Sequence, residues 1–127
     1  MGAIPLFVSS VSLSILAAGL GGAIGAALRF AFLSFGIGGA LGIAILNVAG
    51  SFGLGLALVL LAGRSEVITV LITAGLFGGL TTFSTFAADI VRLGSDDLPL
   101  TVIYLFASVT IAVFAFMAGQ WVGKALA

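Results

Sequence analysis

The run Gly78-Gly79-Leu80-Thr81-Thr82-Phe83-Ser84-Thr85-Phe86 gathers two glycines, four hydroxyls and two phenyl rings. Glycine costs a helix interior about 1 kcal/mol and β-branched threonine somewhat less, so a helix entering this run breaks there. A broken helix has two electrostatic ends. Carbonyls freed near Gly78 and Thr81 can coordinate a cation, and amides freed where the helix resumes offer positive charge to an anion. The plainer alternative is a glycine packing notch whose hydroxyls bond back to the helix. Phe83 and Phe86, three apart, share a helix face. Phenyl edges carry positive potential, so a narrow path lined by them favours a small anion, helped by the Ser84 and Thr85 hydroxyls. With 11 Phe in the chain, lipid-facing or packing aromatics are the bland alternative.

Other polar residues are few. Asn47 has an amide that can replace part of an anion's hydration shell or serve as interhelical glue. Gln120 is the other amide within a hydrophobic stretch. Tyr104 and Ser108, four apart, put two hydroxyls on one helix face, whereas Thr110 points elsewhere. Arg29 reads as an interfacial cation or as one that draws anions into a vestibule. Asp89 falls near the end of its hydrophobic stretch and reads as a boundary residue. No Asp, Glu or His is central to any such stretch, so a proton-coupled carrier lacks its titrating group. Without Cys or His, thiol chemistry and the usual zinc and haem ligands are missing, and no hydrolytic or redox constellation exists. The chain does not read as an enzyme.

These residues must be held by membrane-spanning helices. Of 127 residues, 62% are hydrophobic and 6% charged, against about 25% charged in an average soluble domain. Four Lys/Arg balance four Asp/Glu, which excludes the basic face of a nucleic-acid binder. A span needs about 20 apolar residues, and four fit, at about 4–28, 41–62, 67–91 and 98–122, forming a single transmembrane domain. The expected fold is all-α, with the third helix broken at the bilayer midplane. Glycine-rich residues 35–39 turn the chain between the first two spans. Gly63, Arg64 and Ser65 make so short a link that the second and third spans form an antiparallel hairpin. Arg92 and Gly94 close the third helix. Ser95, Asp96 and Asp97 offer N-caps to the fourth, where Pro99 is tolerated. No Lys or Arg precedes the first span, so it is read as a retained helix rather than a signal peptide.

Arg64 and Lys124 fall on one side of the membrane and Arg29 and Arg92 on the other. This even split gives no positive-inside bias and permits insertion in both orientations, hence an antiparallel homodimer. Four short helices have side chains enough only to fill their own centre, so transport requires more than one copy. The 19 glycines include pairs four apart (Gly21 and Gly25, Gly38 and Gly42, Gly75 and Gly79, Gly119 and Gly123), a close-packing signal within or between subunits.

Three segments carry a family resemblance. They are Gly22-Ala23-Ile24-Gly25-Ala26-Ala27-Leu28-Arg29, Asn47-Val48-Ala49-Gly50-Ser51-Phe52 and the Gly78–Phe86 run. Over nearly its whole length the chain resembles the Fluc (CrcB) family of small fluoride channels. The resemblance implies a dual-topology antiparallel homodimer in the cell membrane with two passive, fluoride-selective pores that confer fluoride resistance. It implies a structural sodium ion on the two-fold axis, held by the backbone carbonyls of Gly78 and Thr81 from both subunits. It implies that Phe83 and Phe86 contact fluoride, with Asn47, Ser84 and Thr85 beside them. Tyr104 and Ser108 match the start of a polar track, Ala112 standing where its next hydroxyl is expected, and Arg29 matches a basic residue near the pore mouth. A four-helix multidrug carrier would need an embedded carboxylate in its first helix, and a structural scaffold would conduct no ion.

Overall fold

The computed structural model describes residues 3–127, with side chains from residue 10 onward. Four membrane-length apolar helical stretches, Ser10–Phe35, Gly39–Leu60, Glu66–Asp96 and Leu98–Leu126, make up almost all of it. The start expected for the first span, at Ile4, falls where the backbone alone is described. Helix α1 (Ala3–Phe35) runs through Arg29, beyond the stop expected there, because the arginine side chain turns into the protein. Helix α2 (Gly39–Leu60) follows. Among the described residues, the left-handed ones are Gly39 (φ 67°), where α2 starts, and Gly63 (φ 80°), in the link to the third span, positions where a Cβ would be strained.

The third span is composite. Helix α3 (Glu66–Val70) is N-capped by the Ser65 hydroxyl, which accepts from the Ile68 amide at 3.4 Å. A π-helical stretch, Leu71–Phe77, continues it, and a short helix α4 (Gly78–Leu80) ends at the break. The sequence reading did not anticipate the wide turns. Their one visible local cause is Thr73, whose hydroxyl takes the Thr69 carbonyl at 2.8 Å and so competes for a helical acceptor. After the break, α5 (Phe83–Asp96) runs past the expected closure at Arg92 and Gly94. Asp97 then caps α6 (Leu98–Leu126), accepting from the Leu100 amide at 2.9 Å, with Pro99 in its first turn.

Glycine decides which helices touch. Gly21 and Gly25 of α1 lie against Gly75, Leu76, Gly79 and Leu80 of the third span. A Cβ on Gly75 would sit 2.9 Å from the Gly21 Cα, and one on Gly25 would sit 2.7 Å from the Leu80 nitrogen. Ser14 at one end donates to Glu66 at 3.2 Å and Arg29 at the other reaches Thr81, both 52 residues apart, so α1 and the third span run parallel. The same device joins α2 to α6. Gly55 abuts Phe116 and Gln120, Gly119 abuts Phe52 and Leu56, and Gly123 abuts Val59.

The expected hairpin of the second and third spans is antiparallel, with Gly50 near Leu80 and Thr81 and Gly53 near Phe77. The closest packing, however, joins α1 to the π-helical stretch and α2 to α6. Three of the four glycine pairs therefore pack inside the protomer. The fourth serves the first turn, where Gly42 abuts Ile37 and Leu33.

These contacts separate two glycines in one helix. Gly25→Ala should destabilise the protein by about 1–3 kcal/mol through overpacking. Gly19→Ala, which meets nothing within 4 Å, should be neutral or raise stability by up to about 1 kcal/mol. Loss of monodispersity on heating in detergent, measured for both variants, checks the contrast.

Candidate functional site

Thr81 (φ −84°, ψ 158°) and Thr82 (φ −152°, ψ 118°) are extended, and they interrupt the third span near its middle. Broken backbone at that depth must find partners inside the protein. It finds two. The Thr82 N–H, which a continuous helix would give to Gly78, donates to Asn47 Oδ1 at 2.8 Å. Asn47 Nδ2 donates back to the Thr82 carbonyl at 3.1 Å. Because Thr82 offers one donor and one acceptor, this pairing fixes the amide's orientation. From the other side, Arg29 Nη1 donates to the Thr81 carbonyl at 2.9 Å.

The hydroxyls complete the break. Thr81 Oγ1 returns to the Phe77 carbonyl at 2.9 Å. Thr82 Oγ1 caps α5 by accepting from the Thr85 amide at 3.2 Å, and it donates to Thr85 Oγ1 at 3.1 Å. Its single proton is thereby committed, so Ser84, at 3.2 Å from Thr82 Oγ1, is the donor in that pair. The Thr85 hydroxyl keeps its own proton to offer.

A groove of about 380 Å³ opens beside the break, bordered by Asn47, Ser51, Phe83, Phe86, Ser108 and Ala112 among others. A smaller one of about 200 Å³ shares Asn47, Ser51 and Phe83 and reaches Gly50, Thr81 and Thr82. The rings form a chain. Phe83 and Phe86 have centroids 5.8 Å apart at 49°, and Phe86 and Tyr104 are 5.2 Å apart at 44°. Both are tilted arrangements that leave ring edges available to neighbours. Phe86 is 4% exposed while Phe83 is 78% exposed, so one ring is fixed by packing and the other projects outward from the protomer.

The structure thus gathers Asn47, Phe83, Phe86 and Ser108 at one groove, with Tyr104 behind Phe86. Ser84 and Thr85 start α5 but border neither groove. Arg29 is half-buried on the opposite side of the break, bonded to Thr81 rather than standing open at a mouth. Asp89 corrects the boundary reading. It is 6% exposed, its Oδ2 is buried without a hydrogen-bond partner, and Arg92 Nη1 stands 3.9 Å from its Oδ1. It is drawn inward where α5 packs on α6, facing the Tyr104 hydroxyl, which is also buried. Two residues of this region were not singled out from sequence. Thr82 had a legible signal, a threonine at the point where the helix resumes. Ser51, one turn after Asn47, had none beyond its place in the Asn47–Phe52 segment.

Residues 16–120 match the family described as CrcB-like protein, Camphor Resistance (CrcB). The chain belongs to the CrcB-like family. Three relatives bear the name fluoride-specific ion channel FluC. The chain is 38% identical over 61 residues to FluC 1 of Ligilactobacillus salivarius, covering 47% of this chain and 54% of that one. To FluC of Mesorhizobium japonicum it is 34% identical over 72 residues, or 56% and 58% of the two chains. To FluC 1 of Carboxydothermus hydrogenoformans it is 38% identical over 116 residues, or 88% and 94%. The match thus spans little more than half the length of the first two relatives and nearly all of the third. This CrcB-like chain is a multi-pass membrane protein.

The Asn47–Thr82 pairing predicts a stability effect. Asn47→Ala leaves a buried N–H and a buried carbonyl unpaired, at about 1–3 kcal/mol each. The expected outcome is a clear drop in the midpoint of thermal unfolding in detergent, read by near-ultraviolet circular dichroism. An unchanged midpoint would mean that the break does not depend on Asn47.

Proposed function

We propose that this CrcB-like chain is a passive, fluoride-selective channel that lets cytoplasmic fluoride leave through the cell membrane, rather than an enzyme. The observation that carries the reading is the groove at the midplane break, where amide, hydroxyl and phenyl-edge donors converge. The names of the three relatives support the choice of ion. A small hard anion gives up its water only where several donors replace it. Asn47 has one N–H left after bonding Thr82, Ser108 adds a hydroxyl, and the edges of Phe83 and Phe86 add weaker positive potential. No residue bordering either groove titrates, which suits passive conduction over proton coupling.

The working unit is an antiparallel homodimer with one pore on each side of its two-fold axis. Two features support it. The groove lies open at the protomer's flank with Phe83 projecting from it, an arrangement that a second copy would close. The Lys and Arg residues near the helix ends are divided evenly between the two sides.

A structural sodium ion on the axis suits the donor set, because Thr82 gives its amide to Asn47 and leaves the Gly78 carbonyl without that helical partner. The Thr81 carbonyl already accepts from Arg29 and retains one lone pair. Gly78 and Thr81 of both protomers would hold the ion, which would neutralise the carbonyl dipoles that meet there. Within each protomer, Arg29 orients the Thr81 carbonyl and Asn47 fixes the backbone that starts α5.

Fluoride efflux from liposomes, beside an identical chloride-loaded set, tests the activity. Rapid fluoride release with negligible chloride release is expected, and Phe83→Ile should cut fluoride release at least about tenfold while the protein stays folded. Release of neither ion by folded protein would favour the scaffold. Topology has its own check, since the sequence holds no Cys. A single Ala127→Cys variant should react with a membrane-impermeant maleimide from both faces of the cell membrane. Labelling from one face alone would exclude dual insertion.

A further inference from the structure

We propose that the Ser51 hydroxyl is a further pore residue, one that solvates fluoride across the groove from the point where the α6 hydroxyl row stops. The inference rests on the channel reading above. On α6 the row runs Tyr104, Ser108 and then Ala112, which has no donor to give. Ser108 and Ala112 border the larger groove from α6, and Ser51 borders the same groove from α2. Ser51 is also one of three residues common to both grooves, with Asn47 and Phe83. It stands where an ion passing from one to the other would meet it.

Its hydroxyl is uncommitted. A helical serine or threonine commonly returns its proton to the carbonyl four residues back, as Thr69, Thr73 and Thr81 do here. Among the described residues, the Ser51 and Ser108 hydroxyls make no hydrogen bond. Their neighbours in the groove, Phe83, Phe86, Ala112 and Phe116, offer neither N–H nor O–H. A bare anion there has few strong donors available, and a free O–H gains most where water is excluded. Two serines on facing helices, with the free N–H of Asn47 a turn away, supply a short ladder of donors. Ser51 thereby restores from α2 the hydroxyl that α6 lacks at Ala112.

The bland alternative is that Ser51 is a small residue tolerated where α2 and α6 approach. Moving the hydroxyl separates the two. In the liposome assay, with gel filtration confirming that each variant is folded, Ser51→Ala should slow fluoride efflux about tenfold, the effect of one charge-assisted hydrogen bond. Adding Ala112→Ser should recover about half of the wild-type rate or more, because the hydroxyl returns to the same groove from the facing helix. Undiminished efflux from Ser51→Ala beside a conducting wild type overturns the proposal and leaves the channel reading intact. A loss that Ala112→Ser does not repair also overturns it and marks Ser51 as a packing residue. Should Ser51→Ala not fold, Ser51→Cys keeps the volume with a poor donor and carries the same expected loss. A wild type that releases no fluoride overturns the channel reading and this proposal with it, so the two failures differ in which sample is silent.

Discussion

The reciprocal pairing between the Asn47 amide and the Thr82 backbone is the interaction on which the rest of the site depends. Opening a helix at the bilayer centre strands amides and carbonyls where no water can satisfy them, at several kcal/mol per group. One side-chain amide, matched donor to acceptor and acceptor to donor, satisfies both groups of the residue at the break. Arg29 satisfies the carbonyl next to it, and the Thr82 hydroxyl starts the new helix. The groups of Thr81 and Thr82 at this joint are therefore held by side chains drawn from different helices. Phe83, the next residue, inherits its direction from that joint.

The two parallel glycine-lined pairs explain why the joint can exist. Arg29 reaches Thr81 because α1 lies within backbone contact of the third span, a distance that only glycine at 21, 25, 75 and 79 permits. Asn47 reaches Thr82 because Gly50 and Gly53 let α2 lie close to Leu80, Thr81 and Phe77 of the third span, while Gly55, Gly119 and Gly123 seat its other side on α6. Packing and polar chemistry are thus coupled. Enlarging a glycine many residues away shifts the donor that the break requires.

Much of this was legible in the sequence because hydropathy and glycine speak for themselves in a membrane chain. Span number, the broken third helix, the Ser65 and Asp97 caps and the Gly63 turn all follow from residue types that tolerate few other environments. The pairing of helices was not legible. A glycine pair announces close approach without naming its partner, and the shortness of the Gly63–Ser65 link favours a neighbour that α2 does not pack against most closely. Arg29 was misjudged as a helix stop because sequence shows charge but not reach. Its long side chain can leave the helix sideways and find a carbonyl 52 residues away. Asp89 and the π-helical stretch were hidden for a related reason, since both are set by what neighbouring helices present rather than by local propensity. Ser51 was overlooked because a hydroxyl's importance lies in having no partner, which only three-dimensional neighbours reveal.

The parallel pairing of alternate spans also sets a timetable for biosynthesis. Parallel helices cannot be consecutive in an up-and-down chain, so each close pair has to wait for a span made two places later. Helix α1 enters the bilayer with its glycine face bare until the third span has been synthesised, and α2 waits for α6. Asn47 meets Thr82 across helices whose own partners arrive at different times. The groups that seal the break all belong to spans made before α6, whereas the packing of α2 against α6 comes after it. Until α6 docks, the half-made protein carries its most polar segment without the packing that holds it in register, and quality control at the membrane would find its easiest target there.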